Sequence, residues 1–346
     1  MQNRVMPRWC LGIIGGFLFV AATSGCDPDV QNRSSAGAPE SQRKQERAMI
    51  ATEWDTLWTS GGATRDTLLL NPYLISASQN GVYVFDGGAS RLIAFRPDGS
   101  VGWTFGRSGA GPDEFGGVRD LKVGADGELF VLDPRNARIV RLDAMGTVRA
   151  RIPLSAVGHA EQLAAIDRER MVLFTMDQQR AFALVDTTGA VRERFSLPWV
   201  AFDALHPIAR QGLMVPGRGG EWIFGFSIGD GWFSFDGSAP AGSARYIEHT
   251  EFPEIRTTPE GGSRMAEYSA CSACSAGVSD STLYIHFGGY TRHRQSVVDL
   301  YSLNDRTYRG SYLLPIKATM ISTAGDRIYA LRDDPYPMLF ALRPRL

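Results

Sequence analysis

The stretch Glu128–Val148, which reads ELFVLDPRNARIVRLDAMGTV, decides the fold because it occurs more than once. It aligns without a gap with Gly81–Val101, GVYVFDGGASRLIAFRPDGSV, which begins 47 residues earlier. The alignment pairs Asp86 with Asp133, Arg91 with Arg138, Phe95 with Leu142 and Gly99 with Gly146. A degraded third copy, Met171–Val191, begins 43 residues after the second. The chain therefore contains a repeat with a period in the forties.

Each copy contains the parts of a four-stranded antiparallel sheet. In the second copy, Arg119–Ala125 is the expected innermost strand, and Asp126-Gly127 is a hairpin turn signal. Two strands with alternating apolar residues follow, and a glycine turn leads to the outer strand. One such sheet cannot bury both of its faces alone, so the copies are expected to stack into a ring.

We therefore predict an all-β fold, a six-bladed β-propeller of four-stranded antiparallel blades over residues 51–346. Six blades of about 49 residues agree with the observed repeat offset, whereas seven blades of about 42 residues do not. The last copy, which begins at Ala318, supplies only three strands. We expect Thr52–Ser60, TEWDTLWTS, to be the missing outer strand, because an N-terminal strand in the last blade closes the ring.

The run from Phe105 to Val148 resembles the NHL-type repeat of six-bladed β-propellers. The shared features are a glycine-rich stretch that ends in Phe115 and a following core with Asp133, Asn136 and Arg138. The resemblance is close over this run, partial in the copy before it and loose elsewhere. It implies the propeller fold. It also implies an enzymatic function as one alternative, because such propellers include lyases and hydrolases that hold a metal in the channel.

The recurring acidic and basic residues are better explained by structure than by catalysis. Asp86 and Asp133 occupy the same repeat position, and Arg91 and Arg138 share another. A catalytic group need occur only once, whereas these residues recur with the blade. We interpret each Asp as the cap of its turn and each Arg as a local partner at the start of the third strand.

The glycines of FGRSGAGPDEFGG, Phe105–Gly117, raise the alternative of a phosphate-binding loop. Such a loop leads into a helix N-terminus and usually carries a Lys followed by Ser or Thr. This stretch lacks that pair, continues into a strand and carries Asp113 and Glu114, which repel phosphate. We interpret it as the crossing from the outer strand of one blade to the inner strand of the next, with Phe115 at the blade interface.

Residues 1–25 have the features of an export signal. Two arginines precede the apolar run Trp9–Ala22, which is shorter than the roughly 20 residues that a membrane span needs. The segment TSGC, which ends at Cys26, resembles the lipobox of bacterial lipoproteins, although Thr23 stands where Leu is usual. The resemblance implies a lipid anchor at Cys26 and a place in the bacterial cell envelope, periplasmic or on the outer face of a membrane. The alternative is an ordinary secretory signal that leaves Cys26 as a thiol.

Residues 26–50 are polar and charged, so we expect them to form a flexible tether. The formal net charge of the whole chain is −1, which offers no electrostatic attraction to nucleic acid. No cofactor-binding motif is present in the sequence, and we expect no cofactor. The expected partners are therefore the membrane, through Cys26, and an unknown protein or small molecule.

Cys271 and Cys274 form the motif CSAC. In an exported protein the expected state of this pair is a local disulfide. A zinc site that also uses histidines is the next alternative, and a redox pair is the third. The candidate histidines are His249, His286 and His293. A c-type haem site is excluded because Ser275 stands where that motif needs His.

No catalytic motif such as GxSxG or HExxH occurs in the sequence, so the candidate ligand-binding residues are chosen by position. Propellers bind ligands at the mouth of the central channel, where inner strands and loops converge. The residues expected there are Arg119, His159, His206 and Arg210. The first hypothesis is a membrane-tethered binding or interaction module. The alternative is a metal-dependent hydrolase or lyase with its site at the channel mouth, and whether the protein is an enzyme is left open.

Overall fold

The computed structural model describes residues 46–63, 68–124, 126–175, 180–198, 202, 205–259, 261–265, 271–289, 291 and 293–345. In these residues the chain forms strands with almost no helix, and no helix is long and apolar enough to cross a membrane. The predicted signal and lipidation site, Cys26, lie outside the described residues.

The strands are β1 (Glu53–Gly61), β2 (Pro72–Ser78), β3 (Gly81–Asp86), β4 (Arg91–Phe95), β5 (Val101–Phe105), β6 (Asp120–Val123), β7 (Leu129–Asp133), β8 (Arg138–Leu142), β9 (Val148–Pro153), β10 (Ala160–Ala165), β11 (Arg170–Thr175), β12 (Phe182–Asp186), β13 (Val191–Phe195), β14 (Gly212–Pro216), β15 (Glu221–Phe226), β16 (Trp232–Asp236), β17 (Ala239–Ala244), β18 (Ile255–Thr257), β19 (Ser263–Met265), β20 (Ser275–Ser279), β21 (Thr282–His286), β22 (Val297–Ser302), β23 (Tyr308–Leu313), β24 (Met320–Ala324), β25 (Arg327–Arg332) and β26 (Met338–Arg345).

Six four-stranded antiparallel sheets form the ring, which confirms the predicted six-bladed β-propeller. From the inner to the outer strand, blade 1 is β2–β5, blade 2 is β6–β9, blade 3 is β10–β13, blade 4 is β14–β17, blade 5 is β20–β23 and blade 6 is β24–β26 with β1. The N-terminal strand β1 closes blade 6, and its register runs from Glu53 opposite Arg345 to Gly61 opposite Met338. The predicted ring closure is therefore confirmed.

Apolar side chains fill the spaces between neighbouring blades. Trp222 is buried between blades 3 and 4, where it stacks on Phe235 with ring centroids 4.4 Å apart and contacts Phe182 at 5.5 Å. Trp232 is buried between blades 4 and 5, with Tyr301 edge-on at 6.0 Å. Each blade buries one face of its strands against the blade before it and the other face against the blade after it.

The recurring Asp residues connect each blade to the crossing that enters it. The carboxylate of Asp133 accepts hydrogen bonds from the backbone N–H groups of Gly117 at 2.9 Å and Gly116 at 3.2 Å. Asp86 does the same for Leu70 at 2.8 Å and Asn71 at 2.9 Å. The recurring arginines donate to carbonyl groups of these crossings: Arg91 to Leu68 and Arg138 to Gly111. Both residue types are structural, as the repeat argument indicates.

The glycine-rich stretch is the crossing from β5 to β6. Phe115 is 2 % exposed and packs between Phe85 and Phe105, with ring centroids 5.5 and 5.8 Å away. Within the loop, the Glu114 carboxylate accepts a hydrogen bond from the N–H of Gly111 at 2.8 Å. An acidic side chain of the protein therefore occupies the place that a phosphate would need.

Two features depart from a plain repeat. The β18–β19 hairpin lies in a long connection between blades 4 and 5, and the sequence repeat does not predict it. Closer to the N-terminus, the last residues of the predicted tether, Arg47–Ile50, lie against blade 5. The Ala48 carbonyl accepts a hydrogen bond there from Ser311 N–H at 2.9 Å. The division into signal, tether and propeller otherwise stays a prediction.

Candidate ligand-binding site at one mouth of the channel

The six inner strands are β2, β6, β10, β14, β20 and β24, and they begin at the same end of the ring. We call this end the first mouth. The crossings between blades reach the axis here, so residues just before each inner strand surround the channel opening. Two of the predicted candidates, Arg119 and His159, occupy this position in neighbouring blades.

Arg119 and His159 converge on a residue that sequence analysis did not select, Glu161. The Nε2 atom of His159 lies 2.8 Å from Oε1 of Glu161, and Nε of Arg119 lies 3.8 Å from Oε2. His159 immediately precedes β10, and Glu161 is the extra residue of a bulge between Ala160 and Gln162. The crossing into blade 2 supplies Arg119, whose backbone N–H donates to Leu132 O at 2.9 Å.

The carboxylate of Glu161 is the most buried charge in this cluster. Its side chain is 7 % exposed, compared with 17 % for Arg119 and 62 % for His159. Burial raises the pKa of Glu161, and the Arg119 charge and the contact with the His159 ring offset only part of this rise. Tyr73 of blade 1 stands beside the cluster and donates from its hydroxyl to Val118 O at 2.7 Å. Burial also raises the pKa of Tyr73, which remains a neutral donor.

The other two candidates, His206 and Arg210, belong to a separate arrangement in the crossing between blades 3 and 4. His206 caps a short turn through Nδ1, which accepts from Ile208 N–H at 3.2 Å. Its Nε2 lies 3.1 Å from the Ser263 hydroxyl of the β18–β19 hairpin. Arg210 is 5 % exposed, and its Nε donates to Leu205 O at 2.9 Å. His206 thus links this crossing to the β18–β19 hairpin, and the structure does not bring it to Arg119 and His159.

Cys271 and Cys274 lie at the first mouth, immediately before β20. The N–H of Cys274 donates to His286 O at 2.9 Å, and the carbonyl of Cys271 accepts from Gly289 N–H at 2.6 Å. Both side chains face Gly288, since a Cβ built there would stand 2.9 Å from Cys271 Cβ and would collide with Cys274 Sγ. The two side chains therefore share one small space, and the disulfide between them stays a prediction.

The histidines considered as zinc partners for the cysteines are placed differently from one another. His286 is fully buried, with Nδ1 3.2 Å from the Ser275 hydroxyl, and burial lowers its pKa to about 4. His249 Nδ1 lies 3.7 Å from the Asp230 carboxylate. Among the described residues, no group of three or more His, Cys, Asp or Glu side chains has the geometry to hold a metal ion.

Farther along the axis, the channel contains a cavity of about 170 Å³. Small, hydroxyl-bearing and apolar residues of five inner strands line it, and Lys122 is the charged side chain among the described residues of its wall. The Lys122 ammonium lies 2.8 Å from Oδ1 of Asp120, whose Oδ2 accepts from Leu163 N–H at 2.9 Å. The charge of Lys122 is thus paired with Asp120 within the wall. The first mouth, with Arg119, His159 and Glu161, is therefore the stronger candidate site.

Comparisons with known proteins support the fold. No family model matches the sequence, and no curated protein matches it either. Solved structures do match. A protein from Bacteroides fragilis that is described as exported superposes with a TM-score of 0.57 and 13 % identity, over 85 % of this chain and 96 % of that one.

Two further structures extend this result. Virginiamycin B lyase from Staphylococcus aureus gives a TM-score of 0.50 at 14 % identity, over 84 % of this chain and 99 % of that one. The β-propeller domain of Swd1 from Myceliophteria thermophila gives 0.50 at 9 % identity, with the same two coverages. At these identities the similarity shows a shared propeller fold.

Proposed function

We propose that this protein is a membrane-tethered, extracytoplasmic propeller that binds a polar ligand or a partner protein at its first mouth. The observation that carries the proposal is the meeting of Arg119 and His159 at the buried carboxylate of Glu161. Burying a charge costs free energy, and this cost is tolerated where the charge has a task in fold or function. Here the cluster borders the channel opening, where ligands of propellers bind.

The cluster can bind a polar ligand in three ways. The exposed ring of His159 can donate or accept a hydrogen bond, and the Arg119 guanidinium can donate to a carboxylate, phosphate or carbonyl group. Glu161 holds both residues in place and can accept a donor from the ligand. The Tyr73 hydroxyl stands beside them on blade 1. These groups come from three blades, so ligand binding would depend on the assembled ring.

A thermal-shift panel tests the proposal. Citrate, inorganic phosphate, L-glutamate, L-lysine and maltose sample anionic, zwitterionic, cationic and neutral polar probes. We expect at least one of them to raise Tm in a saturable way, because ligand at 100 times its Kd stabilises a protein by about 2.7 kcal/mol. The shift should disappear in Arg119→Met and persist in the control Arg309→Met, whose side chain is exposed on the outer strand of blade 5. A shift that Arg119→Met retains would refute this site, and a panel with no shift would refute binding of these classes of small molecule.

The envelope location rests on the N-terminal signal features and agrees with the similarity to a protein described as exported. We propose that lipid chains on Cys26 anchor the mature protein to a membrane, since each buried CH₂ contributes roughly 0.8 kcal/mol. Mass spectrometry of the mature N-terminus tests this. A diacylglyceryl-modified N-terminal Cys26 is expected, and an N-terminal peptide with a free Cys26 thiol would contradict it.

The alternative is a metal-dependent hydrolase or lyase at the same mouth. Its support is the structural similarity to a lyase, which at 14 % identity is a similarity of fold. Elemental analysis of the purified protein separates the two functions. Stoichiometric zinc, calcium or magnesium that survives dialysis would favour the enzyme, and metal below one tenth of the protein concentration would favour the binding module.

A further inference from the structure

At five of the six blade junctions, a hydrogen bond joins the two neighbouring inner strands. In four of them an inner-strand side chain accepts from the backbone N–H of the next blade: Ser76 from Val123 at 2.9 Å, Asp120 from Leu163 at 2.9 Å, Ser275 from Ile321 at 2.9 Å and Ser322 from Ala77 at 3.0 Å. At the junction of blades 3 and 4, the Gln162 amide donates to Gly212 O. The same arrangement therefore recurs around the channel.

The junction of blades 4 and 5 differs. Its inner strands, β14 and β20, are described over their whole length, and no hydrogen bond joins the one strand to the other. The inner strand of blade 4, β14, reads GLMVP and has no hydroxyl, carboxylate or amide side chain that could bridge to blade 5. This is also the junction with the long connection that contains β18 and β19. Near the axis, Ser272, just before β20, donates from its N–H and its hydroxyl to the carbonyl groups of Ser227 and Gly229 in blade 4, both at 2.7 Å. Farther from the axis the junction depends on other contacts.

Arg47 supplies such a contact from outside the repeat. Its guanidinium forms two hydrogen bonds to the carboxylate of Asp299 in blade 5, at 2.8 and 3.0 Å. It also pairs with Glu248, which lies in the connection that leaves blade 4. The Phe287 ring lies 4.1 Å from the guanidinium carbon. The side chains of Arg47 and Asp299 are 4 % and 2 % exposed, so both charges are removed from water and each depends on the other.

The backbone that follows Arg47 also forms hydrogen bonds with blade 5. Ser311 donates from its N–H to Ala48 O and accepts at its carbonyl from Ile50 N–H, both at 2.9 Å. Gly310, with φ +133°, leaves room for the segment, because a Cβ there would stand 2.8 Å from Ile50 Cδ1. The Ser311 hydroxyl in turn donates to Asp299 at 2.5 Å. Blade 5 thus provides partners for both the backbone and the charged side chain of this segment.

We propose that Arg47–Ile50 is an intramolecular strap that docks on blade 5 and closes the junction of blades 4 and 5. Arg47 is the specific element, because its forked guanidinium binds carboxylates of blade 5 and of the blade 4–5 connection at once. The strap is the C-terminal end of the segment, residues 26–50, that we predict to be the tether. A load on that tether would therefore reach the propeller at this junction. This proposal is independent of the ligand at the first mouth.

Hydrogen–deuterium exchange on the full mature chain tests the strap. In Arg47→Met we expect amides of β20 and β22 to exchange at least tenfold faster than in the wild type, because the junction opens locally. Amides of β3 and β7, on the far side of the ring, should keep their wild-type rates. The control is Arg343→Met, which removes an exposed partner of Asp55 on the adjacent blade 6. It should leave both sets of amides unchanged.

Two more variants separate the strap from a simple charge effect. Arg47→Met/Asp299→Asn removes both buried charges, so its β20 and β22 amides should still exchange fast if the strap itself closes the junction. Arg47→Lys keeps the charge without the fork and should give an intermediate rate, and it serves if Arg47→Met does not fold. Wild-type exchange in the double variant, or faster exchange in all blades equally, would overturn the proposal.

Discussion

The Nε2 atom of His159 lies 2.8 Å from a carboxylate oxygen of Glu161, although one side chain is largely exposed and the other is 7 % exposed. An exposed imidazole ring at the first mouth therefore contacts a buried carboxyl group inside the ring of blades. Because Arg119 reaches the same carboxylate from the neighbouring blade, Glu161 is the point at which two blades and the channel opening meet.

The raised pKa of Glu161 predicts a pH dependence of stability. A carboxyl group whose pKa is higher in the folded than in the unfolded state binds more protons when folded. Its stabilising contribution is complete below the unfolded pKa and is lost as the pH rises through the folded pKa. We therefore expect Glu161→Gln to gain stability relative to the wild type as the pH increases from 4 to 7.5.

Urea denaturation across this pH range measures the difference. Glu254→Gln is the matched control, because Glu254 is exposed and hydrogen bonds with Arg256 lower its pKa. For that variant the pH trend should have the opposite sign. If Glu161→Gln and the wild type followed parallel curves, the buried carboxylate would have no raised pKa.

The fold could be predicted because its signal is local and repeated. Asp86 and Asp133 occupy one position of a gapless repeat, and each fixes the crossing into its own blade. The site could not be predicted as fully. Arg119 and Glu161 belong to different blades, and only blade-against-blade packing brings them together. The sequence nevertheless contains one feature that was missed: Glu161 is the ionisable residue of the inner strand β10, which reads AEQLAA.

The strap could not be predicted from the sequence for a related reason. Arg47 lies in a polar segment whose composition is typical of a flexible tether, and composition carries no information about a partner 252 residues away. The β18–β19 hairpin has no counterpart in the other repeats, so no alignment within the chain could reveal it. A repeat predicts only the features that the blades share. The strap and the hairpin lie outside the repeated positions, so the repeat does not predict them.

Gly106→Ala should destabilise the propeller by about 3 kcal/mol. Gly106 has φ +97°, which costs a non-glycine residue roughly 1 kcal/mol, and a Cβ there would collide with the ring of Phe115, adding about 2 kcal/mol. Gly158→Ala separates the two effects, since Gly158 has φ +88° and a Cβ at that residue would have no atom within 4 Å. That control should lose only about 1 kcal/mol in urea denaturation. Equal losses would mean that Phe115 moves aside without cost.

Asp133→Ala should cost about 3 kcal/mol, because it leaves the half-buried N–H groups of Gly116 and Gly117 without their acceptor. Asp86→Ala should have a similar effect, since Asp86 accepts from the crossing into blade 1 in the same way. The control is Asp113→Ala, an exposed position in the same crossing, which should stay within about 0.5 kcal/mol of the wild type. A small effect at Asp133 together with lost ligand binding would instead assign the recurring Asp to function.

His286 should make the protein sensitive to acid. Burial lowers its pKa to about 4, and the Gln295 backbone offsets part of this effect, whereas the unfolded chain binds a proton near pH 6.5. The stabilising contribution of neutral His286 is present above pH 6.5 and is lost as the pH falls through 4. Between pH 7 and pH 4 the wild type should therefore lose about 3 kcal/mol more stability than His286→Gln, in which this position does not titrate. Urea denaturation of both proteins at the two pH values measures the difference. An equal loss would show that the pKa of His286 is not lowered in the folded protein.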